Sequence, residues 1–320
     1  MTARTLAARL TAFGAAPEVT ECALPEPDSG DVLVEMHYAS LNPVDTYVIA
    51  GAVGAEASLP RTVGVEGAGL CGGRPVVVHG GGLGIVRDGT WSARVIAPAD
   101  AVVPVPDGLS LTAAATAAVA GATAIRVTRD VGEVGPLDRV LVLGASGGVG
   151  QAVVSRCVDE GAQVWAQTAD AAKAPGIAAL GATPIVAGTA AQLLEEADSV
   201  VPTLVFDALG RSFTGAAVEL LADHGRLVSY GVSAGPDVTV SMRSVYRKNL
   251  RLLGYGGLTA SPRERRAGIE AALAALNSRA MTVPIHQIHP LDEVAAALKA
   301  LSDRAATGKI LLDLRAGARS

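Results

Sequence analysis

Along the first hundred residues the apolar positions come in short runs that alternate with polar ones and are broken by glycine and proline. The segment Asp31 to Leu41, D-V-L-V-E-M-H-Y-A-S-L, alternates as a half-buried strand does, and Val63 to Leu70, Arg74 to Val78 and Trp91 to Ala97 predict further short strands. The stretch P-A-D-A-V-V-P-V-P-D-G-L then reads as an extended approach to a helix that begins near Ser110, a residue suited to capping it. After about Gly121 the rhythm changes. Apolar strands are predicted at Arg139–Leu143, Gln163–Gln167, Thr203–Asp207 and Arg226–Tyr230, and amphipathic helices at Gln151–Glu160 and Phe213–Ala222, with Gly161 and Gly225 near their ends. Such alternation predicts a doubly wound parallel sheet covered by helices. The tail from Pro284 to Leu314 reads as a strand, an Ala-rich helix over Leu291–Leu301 and a final strand, K-I-L-L-D-L.

Composition narrows the class of protein. A chain of 320 residues suggests two domains, and two domains imply a cleft. The longest apolar candidate, Leu111 to Ala124, is interrupted by Thr112, Thr116 and Thr123 and falls short of the roughly 20 residues that span a bilayer. No membrane span and no secretory signal is expected, so a cytoplasmic location follows by default. A net charge of −5 without a dense cationic block argues against nucleic acid, and the one basic cluster, Arg243 to Arg251, reads as a solvated edge. Cys22, Cys71 and Cys157 form no C-x-x-C pair, so neither disulfides nor a structural zinc lobe is predicted.

The segment R-V-L-V-L-G-A-S-G-G-V-G-Q-A-V-V sets Gly144, Gly147 and Gly150 between an apolar strand and a helix. Alone, such a pattern is an ordinary tight turn. In this context it predicts dinucleotide binding, because a glycine-rich turn lets backbone approach a pyrophosphate while the helix N-terminus offers unpaired N–H groups to the phosphate oxygens. The rival run Gly80 to Gly84 leads into no helix and reads as a hairpin connection. At the end of the second strand the signals conflict: Asp170 suits a ribose diol, whereas Lys173 suits a 2′-phosphate. If Asp170 instead caps the next helix, Lys173 is left for the phosphate, which favours NADPH, with NADH as the alternative.

Four segments in order, L-N-P-V-D-T-Y, L-P-R-T-V-G-V-E-G-A-G, V-L-V-L-G-A-S-G-G-V-G and A-T-G-K-I-L-L-D, resemble the medium-chain dehydrogenase/reductase superfamily, and within it the zinc-free quinone oxidoreductase, zeta-crystallin-like branch. With L-V-F-D-A-L-G and G-R-L-V-S-Y-G they span nearly the whole chain. The resemblance implies an α/β fold in which a Rossmann domain, residues 121–255, is inserted in a β-rich, GroES-like catalytic domain, residues 1–120 and 256–320. It also implies a homodimer formed through the sheet edge near Asn249 to Gly254. Zinc-dependent relatives carry Cys at the place of Asn42 and Gly-His-Glu where this chain has Gly64-Val65-Glu66, so no metal is expected.

Carried over residue by residue, the resemblance makes Tyr47 and Asn42 the catalytic candidates, groups able to hydrogen-bond a substrate carbonyl as negative charge develops on it. Their plainer readings are a tyrosine packed at the domain junction and an Asn-Pro turn, and Asp45 reads as pinning that loop. Thr123, Ser146, Gly147, Gly148, Val149, Lys173, Gly210, Tyr230, Gly231, Val232, Tyr255 and Gly256 are the cofactor-binding candidates. Relatives often carry R-S-G-x-Y after the tyrosine segment, but this chain has Ala50 to Val53, A-G-A-V, so a tyrosine proposed as proton donor in trans-2-enoyl thioester reductases is replaced by Val53. The stretch between Gly69 and Gly73 is also short. Together these features imply NADPH-dependent reduction of a quinone or an α,β-unsaturated carbonyl. The alternatives are an enoyl thioester reductase and a largely non-catalytic NADPH-binding protein.

Overall fold

The computed structural model describes residues 3–315; residues 1–2 and 316–320, the outer ends of the expected catalytic segments, lie outside the described residues. The chain divides into two compact units. One holds the chain up to Ala122, Ala260–Asn277 and the chain from Ile285 onward; the other holds Thr123–Thr259 and Ser278–Pro284.

The second unit is built on a six-stranded sheet whose pairings are all parallel, in the order Thr183–Val186, Gln163–Thr168, Arg139–Leu143, Leu204–Asp207, Arg226–Ser229, Arg251–Gly254. Its first strand therefore lies in the middle. The next two strands extend the sheet to one side and the last three to the other, which puts the reversal of direction between Arg139–Leu143 and Leu204–Asp207. At such a switch point two loops diverge outside the carboxyl ends of the strands and leave room for a ligand. Val140 to Leu143 and Leu204 to Asp207 are buried throughout, as strands covered on both faces must be. Leu141, Leu143, Val205, Val218, Leu221 and Leu227 belong to the core beneath them. Thr183–Val186 escaped the apolar pattern because it is short and contains Pro184, which an edge strand tolerates.

The first unit carries a seven-stranded sheet and a three-stranded one. In the larger sheet the terminal strand Lys309–Asp313 runs parallel to Ile285–Pro290 and antiparallel to Asp31–Ser40, and Glu66–Cys71 lies on the other side of Asp31–Ser40. Glu66–Cys71 and Arg74–His79 form a hairpin through Gly72 and Gly73, at φ +55° and +78°, which is the tight two-residue connection that accommodates the short Gly69–Gly73 stretch. Gly80–Gly84 is no hairpin connection, in contrast to expectation: Arg74–His79 pairs with Glu66–Cys71 and Val102–Pro104, whereas Arg94–Pro98 pairs with Asp31–Ser40. Leu10, Met36, Leu41, Trp91 and Leu312 belong to this unit's core.

Ser110 caps its helix as predicted, its hydroxyl accepting from Ala113 N at 3.2 Å. The helical run it starts is not uniform. It passes from α-helix at Leu111–Ala114 to π-helix at Ala117–Gly121, back to α at Ala122–Ile125 and again to π at Arg126–Val131. Such wide turns are rare and concentrate where function needs a displaced backbone group. Among the described residues no helix is long and apolar enough to cross a membrane.

Candidate functional site

The glycine turn sits at the switch point. Its geometry separates glycines that the fold needs from one that it does not. Gly144 has φ +70°, and a Cβ on Gly150 would lie 2.4 Å from Gly144 O, so both are required for the strand to turn tightly under the helix Gly148–Asp159. Gly147 is different. It caps that helix at φ −77°, ψ 166°, a conformation open to any residue, and a Cβ there would meet nothing closer than 3.7 Å. A missing side chain in open space above a helix N-terminus is what close approach of a diphosphate calls for. The turn is braced from the second strand: Gly144 N donates to Gln167 Oε1 at 2.9 Å, Ala145 N to Gln167 O at 2.9 Å, and Gln167 Nε2 to Ala187 O at 2.6 Å.

Because all six strands run the same way, their following loops share one edge, and most of the predicted cofactor residues lie there. Ser146, Gly147, Gly148 and Val149 follow the first strand, Lys173 the second, Gly210 the fourth, Tyr230, Gly231 and Val232 the fifth, and Tyr255 and Gly256 the sixth in sheet order from the first strand outward along the chain. Thr123 follows no strand; it lies in the short α segment Ala122–Ile125. Asp207 anchors its loop by accepting from Leu209 N at 2.8 Å, Gly210 N at 3.1 Å and Thr214 Oγ1 at 2.5 Å. Asp170 caps the turn Ala171–Lys173, its carboxylate accepting from Ala172 N at 2.9 Å. The Tyr230 hydroxyl is buried with no hydrogen-bond partner among the described residues, and burial, then the charge of Asp207, raises its pKa. Burial also pushes the Cys157 thiol far up, which fits an inert packing residue.

The two catalytic candidates lie in the other unit, on the helix Pro43–Ile49 and its cap. They differ sharply in exposure: Tyr47 is 43% exposed, Asn42 only 2%. Asp45 pins the loop, accepting from Asn42 N at 2.8 Å and from Val65 N at 3.2 Å. Burial raises its pKa to about 7, against the lowering effect of its hydrogen bond from Asn42 and of the nearby Lys309 charge.

Around Asn42 the structure assembles residues whose role the sequence did not disclose. The antiparallel register pairs Leu311 with Ser40; continued two places, it sets Lys309 opposite Asn42, while the pairing of Ala39 with Gly67 brings Glu66 up on the other side. Lys309 Nζ donates to Asn42 Oδ1 at 2.7 Å, Leu41 O at 2.8 Å and Glu66 Oε1 at 3.1 Å. Asn42 Nδ2 donates to the same Glu66 oxygen at 2.9 Å, and Glu66 Oε2 accepts from Val119 N at 2.7 Å, inside the first π-helical segment. The signal that could have found Lys309 is its position: a lysine at the head of an otherwise apolar strand, I-L-L, that returns to the β-rich unit.

The oxygens gathered here, of Leu41, Asn42 and Glu66, are bound to an ammonium. Val65 offers no ligand atom. Among the described residues no group of three or more His, Cys, Asp and Glu is placed to hold one.

A parallel sheet ordered outward from its first strand, a glycine turn at its switch point and a separate β-rich unit are the architecture of the two-domain dehydrogenases. Comparison with known proteins agrees. A family model described as "Zinc-binding dehydrogenase" matches residues 180–312, a span that includes Lys309 but neither Asn42 nor Val65. A zinc-type alcohol dehydrogenase-like protein of Schizosaccharomyces pombe is 31% identical over 261 residues, 76% of this chain and 75% of that one. The human synaptic vesicle membrane protein VAT-1 homolog is 28% identical over 339 residues, 95% of this chain and 85% of that one. Two solved structures share the fold. An NAD-dependent alcohol dehydrogenase superposes with a TM-score of 0.86 at 25% identity, covering 97% of this chain and 99% of that one. A mycobacterial protein solved with NADPH does so with 0.84 at 24%, with the same coverage. The chain belongs to the medium-chain dehydrogenase/reductase superfamily of oxidoreductases.

Proposed function

We propose that this chain reduces a quinone or another electron-poor α,β-unsaturated carbonyl with NADPH and without a metal ion. The observation that carries the reading is the Lys309 ammonium seated on Asn42 and Glu66 beside Val65: a fixed organic cation where the superfamily's zinc enzymes place their ligands. Without a Lewis acid the acceptor must already be electrophilic, which favours quinones and enones over simple ketones.

The amides of the Gly144–Gly150 turn and the helix N-terminus would hold the dinucleotide's diphosphate. Since Asp170 is committed to capping, Lys173 is the residue that would meet a 2′-phosphate, and this supports NADPH over NADH. The bound nicotinamide would supply the hydride. Negative charge that develops on the acceptor oxygen would be met by a hydrogen bond from Asn42 or Tyr47, and the balancing proton would come from water or from the half-exposed Tyr47 phenol. Each turnover would thus deliver one hydride from the cofactor and one proton from water or Tyr47 to the acceptor, leaving the cofactor oxidised.

The test is NADPH oxidation by chelator-treated protein against a panel of small quinones, 2-alkenals, enones and a trans-2-enoyl thioester. Turnover that survives chelation with quinones or enones is expected. Preference for the thioester would support an enoyl reductase instead, and tight NADPH binding with no turnover on any acceptor would leave a binding protein.

A further inference from the structure

Lys309 and Glu66 form a fully buried ion pair, with residue exposures of 3% and 0%. A buried pair of this kind seldom adds net stability compared with neutral side chains of similar shape. Its bonding is also saturated in an informative way. An ammonium has three protons, and Lys309 has three oxygen acceptors within 3.1 Å: Leu41 O, Asn42 Oδ1 and Glu66 Oε1. No proton is left over for a substrate. Glu66 is likewise spoken for, with Lys309 and Asn42 on one oxygen and Val119 N on the other. Within the cluster only Asn42 keeps an uncommitted donor: its Nδ2 carries two hydrogens, and one goes to Glu66.

We propose that Lys309 is a positioning residue, whose ammonium fixes and polarises the Asn42 carboxamide so that its second N–H serves as the oxyanion donor of the reaction. The charge on Oδ1 draws electron density from the amide nitrogen and strengthens that N–H as a donor, as hydrogen bonds in a low-dielectric chain reinforce one another. Glu66 holds the opposite hydrogen and prevents the amide from flipping. The cluster thus provides without metal a preorganised positive pole of the kind that stabilises developing negative charge. This inference rests on the hydride-transfer reading above.

The deciding experiment compares Lys309→Met, Glu66→Gln and the double variant. Each single variant leaves an unpaired polar group in the interior and should melt well below the parent; the double variant removes both charges together and should recover most of that loss. A merely structural pair predicts that turnover returns along with the melting temperature. The positioning role predicts a folded double variant with NADPH affinity within about twofold of the parent and kcat lowered about 100-fold, the usual effect of losing one oxyanion donor. A second readout needs no turnover: the side-chain NH₂ resonances of Asn42 should be dispersed and slowly exchanging in the parent and collapse towards free-amide values in the double variant. Recovery of kcat with stability, unchanged Asn42 resonances, or a double variant that does not fold would each overturn the proposal. If the parent reduces no acceptor at all, the functional reading fails, and the Asn42 resonances still decide the role of Lys309.

Discussion

The side chain of Gln167 holds the backbone of Gly144: the amide oxygen accepts from Gly144 N at 2.9 Å, while its nitrogen reaches Ala187 O at 2.6 Å. A single buried residue on the second strand therefore sets the start of the glycine turn and ties it to the loop after the third strand. Hydrogen bonds of this kind hold the turn in place, and preorganisation lowers the ordering cost of binding.

Two glycines of that turn should respond differently to substitution. Gly150→Ala places a Cβ 2.4 Å from Gly144 O and should lower both the melting temperature and dinucleotide affinity. Gly147→Val meets open space at an ordinary backbone conformation, so the melting temperature should stay within about 2 °C of the parent's while affinity for NADPH and NADH falls at least tenfold. Calorimetric melts paired with cofactor titration check both. Retained affinity in folded Gly147→Val would place the diphosphate elsewhere.

Lys173→Ala should weaken NADPH binding about tenfold and leave NADH nearly unchanged, as loss of one charged contact to a 2′-phosphate would. Fluorescence titration with the two cofactors separates this from general damage to the site. Equal weakening of both would remove Lys173 from cofactor selection.

Asp45 gives a pH signature of definite sign. Its pKa is raised from the ordinary carboxylate value to about 7 in the folded chain, chiefly by burial. Between the two values the unfolded chain has already released a proton that the folded chain keeps, so this residue lowers stability as pH rises towards 7. Its contribution is most favourable below the unfolded value and is lost by about pH 7. The melting temperature of the parent minus that of Asp45→Asn should therefore fall between pH 4 and pH 7 and level off above; a flat difference would contradict the buried, reluctantly ionised carboxyl.

Among the described residues the strand Arg251–Gly254 ends the parallel sheet with one side unpaired, and Leu252, Tyr246 and Met242 nearby are 43%, 67% and 63% exposed. An open edge flanked by large apolar side chains is a template for pairing with a second copy. Light scattering should find a dimer that Leu252→Lys shifts to monomer. A parent that is monomeric at micromolar concentration would exclude this edge as a subunit interface.

Much of the parallel-sheet unit was legible in one dimension, because strand, turn and helix there are consecutive and every strand of a parallel sheet delivers its loop to the same edge. Arg139–Leu143, the glycine turn and the helix after it are local features, and apolar periodicity with glycine spacing reports local features well. The long helix Pro262–Ser278 and the strands Arg4–Leu10 and Glu18–Ala23 were not read, since charged and Ala-rich composition blurs the one and polar alternation the others. The two π-helical segments had no signature in the pattern either.

The β-rich half followed a different rule. The family resemblance of L-N-P-V-D-T-Y made Asn42 and Tyr47 candidates, and comparison with the zinc-dependent pattern marked Val65 as offering no metal ligand. The sequence could not show that Lys309, 267 positions away, donates to Asn42, or that Glu66 bridges that pair to Val119. Those contacts depend on strand register and on the return of the chain's last strand to the sheet formed by its first third. Covalent neighbours determine whether a segment turns or extends; which charge ends up buried beside which amide is settled only when distant strands align and water is expelled between them.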